Sequence, residues 1–161
     1  MLILVLGGIS SGKSAYAARL AGTYGEVTVM ATGSSSDPEM EARIEAHRRE
    51  RPSDWRVIEE CHDVSGKAQG VPGCLLIDSV DSWLAARMAA GTEAGMAEEL
   101  SLLAADRNLI AVSSEVGMAL VPLHPLGRAF TDALGHLNQQ LAAASDRVYL
   151  VVAGLAQPLK Q

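Results

Sequence analysis

The chain has 161 residues, 48% of them hydrophobic, which predicts one globular domain with a substantial core rather than a disordered chain. A formal net charge of −6 argues against a broad nucleic-acid surface, and no run approaches the roughly 20 apolar residues of a membrane span. Two cysteines, Cys61 and Cys74, lack C-x-x-C spacing and are too few for a disulfide framework, so reduced thiols in a cytoplasmic protein are expected.

Leu2–Leu6 is an apolar run that predicts a buried strand. It carries no basic n-region and runs straight into a loop, so it does not read as a secretory leader. The loop, Gly7-Gly8-Ile9-Ser10-Ser11-Gly12-Lys13-Ser14, fits G-x-x-x-x-G-K-[ST], the phosphate-binding P-loop. Lys13–Ala21 predicts a helix, with Gly22 as its stop. Strand, loop and helix in that order are the context the motif needs. The glycines let backbone N–H groups turn toward a phosphate, and the helix adds its positive dipole end. Lys13 can reach the β- and γ-phosphates, and the Ser14 hydroxyl can take a place on Mg²⁺.

Val27–Ala31 predicts a second strand, followed by the polar loop Thr32–Ser36. A charged helix is expected over about Pro38–Glu50, with Ser36 and Glu39 as a capping box and Pro38 in the first turn. Arg51-Pro52 ends it. Trp55–Ile58 is a short strand, residues 61–70 are ambiguous, and Cys74–Ile77 is an apolar strand closed by Asp78. Helical composition returns over Trp83–Ala90 and Ala94–Ala105. Leu109–Val112 predicts a strand, Leu126–Ala144 a long helix and Arg147–Ala153 a late strand. The alternation predicts an α/β fold with a mostly parallel sheet, without linker or internal repeat.

Asp78 stands where a P-loop protein places the carboxylate that holds Mg²⁺, directly or through water. Asp81 is a rival for that role, and either residue could instead cap the helix expected to begin near Ser82. In the charged helix, Met40, Ile44 and His47 share a face, and His47-Arg48-Arg49-Glu50-Arg51 surrounds one imidazole with positive charge. Guanidinium groups match phosphate oxygens and favour neutral, nucleophilic imidazole. A solvated amphipathic helix is the plainer alternative. His62, His124 and His136 show no metal-ligand spacing. Glu115 and Gly117 follow a strand end, where open α/β sheets bind ligands.

Taken together, these motifs resemble the bifunctional adenosylcobinamide kinase/adenosylcobinamide-phosphate guanylyltransferase family. Leu4–Ser14 resembles its opening and Ala31-Thr32-Gly33 its second motif. Asp37–Met40, Ala42–Ile44, His47-Arg48, Arg51-Pro52 and Trp55 resemble its nucleotide-carrying helix. Glu115–Met118, Val121-Pro122, Arg128, Phe130, Asp132, Gly135 and Asn138-Gln139 resemble its C-terminal signature, and the resemblance covers nearly the whole chain. It implies a P-loop NTPase fold, RecA-like, with a central sheet flanked by helices, assembled as a homotrimer. It implies phosphorylation of the aminopropanol hydroxyl of adenosylcobinamide by ATP or GTP. GMP is then carried from GTP on a histidine, matched here by His47, to give adenosylcobinamide-GDP.

Nucleotide contacts implied by the resemblance are Gly7, Gly8, Ile9, Ser10, Ser11, Gly12, Lys13 and Ser14; then Thr32, Gly33 and Ser34; then Arg48, Arg49, Glu50 and Arg51; and Glu59 and Asp78. Lys13 and His47 carry the chemistry, and Ser14 and Asp78 hold Mg²⁺. The chain departs from the family pattern at Ser114, where Asn is usual, and at Ala119, where Gly is usual. Ser79-Val80-Asp81 replaces a Cys-Leu-Thr type run, and the middle is short. Glu115, Asp81 or substrate-assisted transfer can each serve the kinase step. A P-loop kinase of another small hydroxylated substrate and a nucleotide-sensing module are the competing expectations.

Overall fold

The computed structural model describes residues 1–33, 45 and 52–161. Seven strands form one sheet among the described residues: β1 (Leu2–Gly7), β2 (Val27–Ala31), β3 (Arg56–Glu59), β4 (Cys74–Asp78), β5 (Leu109–Ser114), β6 (Arg147–Val152) and β7 (Leu155–Lys160). Their order across the sheet is β3-β2-β4-β5-β1-β6-β7. All neighbours run parallel except β7, which returns antiparallel to β6.

The helices are α1 (Lys13–Ala21), α2 (Val64–Ala68), α3 (Val80–Ala90), α4 (Met96–Leu103) and α5 (Pro125–Ala144). They cover both faces, which explains why the inner strands read as continuous apolar runs rather than alternating ones. Leu2, Leu4 and Leu6 of β1 point into one core with Trp83, Met96, Leu100, Leu134 and Leu141. Ile3 and Val5 point into the other, with Ala17 and Ala21 of α1. Small alanines at those α1 positions let the helix lie close on the sheet.

The predicted strands and helices among the described residues are present, with some shifts. The first helix ends at Ala21 with Gly22 as its C-cap, as expected, and a 3₁₀ turn, Gly22–Tyr24, follows it. The helix expected from about Ser82 starts at Val80 with Ser79 at its N-cap, so Asp81 lies in its first turn rather than at its cap. Residues 61–70 contain α2, whose start is capped by Asp63 Oδ1 accepting from the Gly66 amide at 2.9 Å. Strand β7 was not expected. It is made possible by Ala153 and Gly154, both at positive φ (52° and 80°), the paired conformation of a two-residue hairpin turn.

The C-terminal ends of β4, β5 and β1 are adjacent. Gly7 pairs with Ser114 and Asp78 with Val112, so the first loop, the acidic strand end and the segment after β5 emerge side by side. Trp83 is fully buried between this sheet and α4, with the Arg87 guanidinium 5.7 Å from its ring centroid. Arg87 also pairs with Glu99 at 2.8 Å, tying α3 to α4. Trp83→Ala should lower unfolding free energy by about 3–5 kcal/mol, read from urea denaturation.

Candidate active site

The loop after β1 is built by backbone that turns the wrong way for most residues. Ser10 has φ 56° and Gly12 φ 89°. Gly12 is also the N-cap of α1, and no side chain caps that helix end. Its first-turn amides are therefore available to an anion, with the helix dipole behind them. Lys13 Nζ donates to the Gly8 carbonyl at 3.2 Å, and the Ser11 amide donates to the same oxygen at 3.2 Å. The Ser11 hydroxyl is shielded from solvent and has no partner among the described residues.

The hairpin turn between β6 and β7 props this loop from outside. The Gly154 amide donates to the Ser11 carbonyl at 2.8 Å. A Cβ on Gly12 would lie 3.1 Å from Gly154 Cα, while Gly154 is favoured by its positive φ of 80°. Gly7 is equally confined: a Cβ there would sit 2.8 Å from the Val151 carbonyl oxygen and collide with the Ser11 hydroxyl. Gly8 has open space around it. Gly154 had no assigned role in the sequence, because nothing in a lone glycine near a strand end announces contact with a loop so far away in the chain.

Ser14 Oγ lies 3.2 Å from Asp78 Oδ1. A hydroxyl and a carboxylate are hard oxygen donors of the kind Mg²⁺ takes, usually together with water and phosphate oxygens. Among the described residues no three His, Cys, Asp or Glu converge on one point. Asp78 is held in place by Thr32. The Thr32 hydroxyl accepts from the Ser79 amide at 2.8 Å and donates to the Ser79 carbonyl at 2.5 Å, and the Thr32 amide donates to the Asp78 carbonyl at 3.2 Å. Thr32, expected at the nucleotide, is buried and spends its side chain on bracing the acidic turn.

A second polar chain crosses from α5 to α3. Ser113 Oγ donates to Asn138 Oδ1 at 2.6 Å, and Asn138 Nδ2 donates to the Ser114 carbonyl at 3.0 Å. Ser114 Oγ then donates to Asp81 Oδ2 at 2.9 Å. Asp81 and Ser114, two positions that depart from the family pattern, thus bond to each other. Asn138 was named only for its place in a signature; its burial against two strand-end serines gives it a structural task.

The predicted site residues fall into three groups. Gly7, Gly8, Ile9, Ser10, Ser11, Gly12, Lys13, Ser14 and Asp78 come together at the ends of β1 and β4. Thr32 and Gly33 follow β2, and Glu59 ends β3 at the sheet edge, about 19 Å or four strand spacings from β1. Ser34, His47, Arg48, Arg49, Glu50 and Arg51, with the predicted helix Pro38–Glu50, lie outside the described residues apart from Glu45. In the chain they connect the end of β2 to the start of β3. His136 Nδ1 is 2.7 Å from the Asp132 carbonyl oxygen on the surface of α5.

Gly7→Ala should abolish nucleotide binding, because its methyl meets a main-chain oxygen that cannot rotate away. Gly8→Ala should bind within a few-fold of the wild type. Titration calorimetry with GTP separates the two.

The chain matches, over residues 3–159, the family described as cobinamide kinase / cobinamide phosphate guanyltransferase. It is 38% identical to the bifunctional adenosylcobalamin biosynthesis protein CobU of Escherichia coli K12, covering 99% of this chain and 100% of that protein. It is also 38% identical to the bifunctional adenosylcobalamin biosynthesis protein CobP of Pseudomonas aeruginosa PAO1, covering 98% and 96%. Among solved structures, a prototypical ATPase from the type III secretion system of pathogenic bacteria superposes with TM-score 0.55 at 11% identity. That likeness covers 98% of this chain but only 56% of the ATPase, so the chain spans about half of that structure, and the likeness concerns the fold alone. The fold is that of a P-loop NTPase, and the chain belongs to the cobinamide kinase / cobinamide phosphate guanyltransferase family.

Proposed function

We propose that the protein carries out both reactions of its family: it phosphorylates adenosylcobinamide on the aminopropanol hydroxyl with ATP or GTP, then transfers GMP from GTP to the new phosphate. The observation that carries this reading is the Ser14–Asp78 pair beside a formed P-loop, in a chain matched to the family over residues 3–159. The catalytic unit is a single domain, residues 1–161, working in the cytoplasm; no described helix is long and apolar enough to cross a membrane.

In the kinase step the loop amides and Lys13 hold the β- and γ-phosphates, and the substrate hydroxyl attacks the γ-phosphorus in line. Fixed N–H dipoles and the Lys13 charge stabilise negative charge as it spreads over the transferring group. Ser14 and Asp78 would hold Mg²⁺, which would neutralise phosphate charge. In the second step a ring nitrogen of His47 attacks the α-phosphorus of GTP, and pyrophosphate leaves. The phosphate of adenosylcobinamide phosphate then takes GMP from the histidine. Passing through a covalent carrier replaces one difficult displacement with two easier ones. Arg48, Arg49 and Arg51 would hold phosphate oxygens, and Thr32-Gly33-Ser34, Glu50 and Glu59 would line the nucleotide. The segment bearing His47 follows β2 in the chain and so leaves the sheet at the edge that carries the loop and Asp78.

We also infer a homo-oligomer, a trimer by family resemblance. Residues 118–126 present Met118, Leu120, Val121, Leu123 and Leu126 to solvent, with Leu120 94% and Leu123 92% exposed. Their backbone is nevertheless held: Arg128 donates to the Pro122 and Leu123 carbonyls at 3.1 and 2.7 Å, and Glu115 accepts from the Gly117 and Met118 amides. A pinned loop displaying apolar side chains suits a subunit interface. The double substitution Leu120→Asp with Leu123→Asp should shift the mass in light scattering to that of one chain.

Protein labelling with α-phosphate-labelled GTP and Mg²⁺ tests the transferase half. Wild type should retain acid-labile, alkali-stable label, and His47→Ala should retain none, while γ-labelled GTP leaves no such label on either. An unlabelled wild-type protein that binds GTP would sink that half of the proposal.

A further inference from the structure

We propose, resting on the metal reading above, that Thr32 is a positioning residue for the divalent cation that accompanies the nucleotide. Its hydroxyl fixes the aim of Asp78 and so sets the affinity of the site for the ion. The Ser14–Asp78 pair offers two hard oxygens 3.2 Å apart, a donor set that fits Mg²⁺. Ser14 is fixed by the first turn of α1. Asp78 is the last residue of β4, where the ladder ends and the chain turns into α3, so its carboxylate needs a brace of its own.

Thr32 supplies that brace. The sheet carries it to the right place: Ala31 pairs in register with Asp78, and the Thr32 amide donates to the Asp78 carbonyl at 3.2 Å. The Thr32 hydroxyl then holds the next residue at both of its main-chain polar groups. It accepts from the Ser79 amide at 2.8 Å and donates to the Ser79 carbonyl at 2.5 Å. That carbonyl also accepts from the Trp83 amide at 3.3 Å, a bond into α3. Strand β2, strand β4 and helix α3 therefore meet at the residue after Asp78, and Thr32 is the side chain that joins them.

The task occupies the side chain fully. Thr32 is 1% exposed, and the single proton of its hydroxyl goes to Ser79. Any contact of residue 32 with a nucleotide is left to its main chain, and the hydroxyl reaches the ligand only through Asp78. A partner that orients a metal-binding carboxylate typically governs metal affinity by roughly 10–100-fold. The phosphate loop is built by other contacts, at Gly7, Gly12 and Gly154, so loss of the hydroxyl should weaken the ion and spare the nucleotide.

Thr32→Val removes the hydroxyl and keeps the shape of the side chain; Thr32→Ser keeps the hydroxyl. Each full-length protein, below its melting temperature, is saturated with GDP and titrated with Mn²⁺, the free ion being read by electron paramagnetic resonance. GDP binding in EDTA is measured beside it by calorimetry. Thr32→Val should weaken Mn²⁺ binding about tenfold or more, and Thr32→Ser should stay within about threefold of wild type. Both should bind GDP in EDTA within about threefold of wild type. Unchanged Mn²⁺ affinity in Thr32→Val overturns the proposal. So does an equal loss of Mn²⁺ and GDP, which would make Thr32 a general scaffold residue. So does a Thr32→Ser protein as weak as Thr32→Val, which would assign the effect to the methyl group. If Thr32→Val does not fold, Thr32→Cys, a weak donor and acceptor of similar size, carries the same comparison. Asp78→Asn in the same titration separates this proposal from the metal reading. Full Mn²⁺ affinity in Asp78→Asn defeats both; a loss there with Thr32→Val unchanged defeats only the role of Thr32.

Discussion

A phosphate loop works only if its backbone can bend inward without side chains in the way, and here two close approaches enforce that. Gly7 meets the Val151 carbonyl, and Gly12 meets Gly154. The second contact is reinforced by the Gly154 amide bonding to Ser11, inside the loop itself. The left-handed turns at Ser10 and Gly12 are thus held from the β6–β7 side as well as by the start of α1. Preorganised amides cost nothing to reorient when a charged group arrives, and this is how a nearly uncharged loop can serve phosphoryl transfer.

The acidic side of the site is braced by different means. Thr32 clasps the main chain of Ser79 with one hydroxyl, so the end of β2 sets the position of Asp78 at the end of β4. The Asn138 chain sets Asp81 from the opposite direction, through β5. The second brace meets the phosphate loop through Ser114, which pairs in register with Gly7. Each brace fixes a carboxylate relative to a strand end, and the parallel sheet fixes the strand ends relative to one another. Precision in the site comes from the register of the sheet together with the Ser14–Asp78 hydrogen bond.

The elements that the sequence declared clearly were those whose signal is local. Leu2–Leu6 and Cys74–Ile77 are apolar runs buried on both faces, and the P-loop is a contiguous motif between a strand and a helix. What stayed hidden depends on residues distant in the chain. Strand β7, with Leu155, Gln157 and Leu159 exposed and Pro158 within it, lacks a clear strand pattern, and its Ala-Gly turn lacks the usual Asn-Gly signature. The bracing task of Thr32 and the pairing of Asp81 with Ser114 are tertiary facts, visible only once β2, β4 and β5 lie together. Asp78 could be picked out from its place after an apolar strand, whereas the partners of Asp81 and Glu115 show only in the hydrogen bonds. The readings for His47 and its arginines rest on sequence and family membership, since those residues lie outside the described structure.

Strand β1 sits near the middle of the sheet, and its neighbours are β5 and β6, which come from residues 109–114 and 147–152. Strand β1 is made before either of its partners and must wait for them. Pairings of such long sequence separation are slow to close, and until they do an apolar strand remains uncovered. The nucleotide loop, encoded at the front of the chain, acquires its shape only when the final hairpin docks against it. Synthesis and shaping of the loop are separated by the whole stretch from β1 to β6, and a nascent chain interrupted before β6 would display the motif without the cradle.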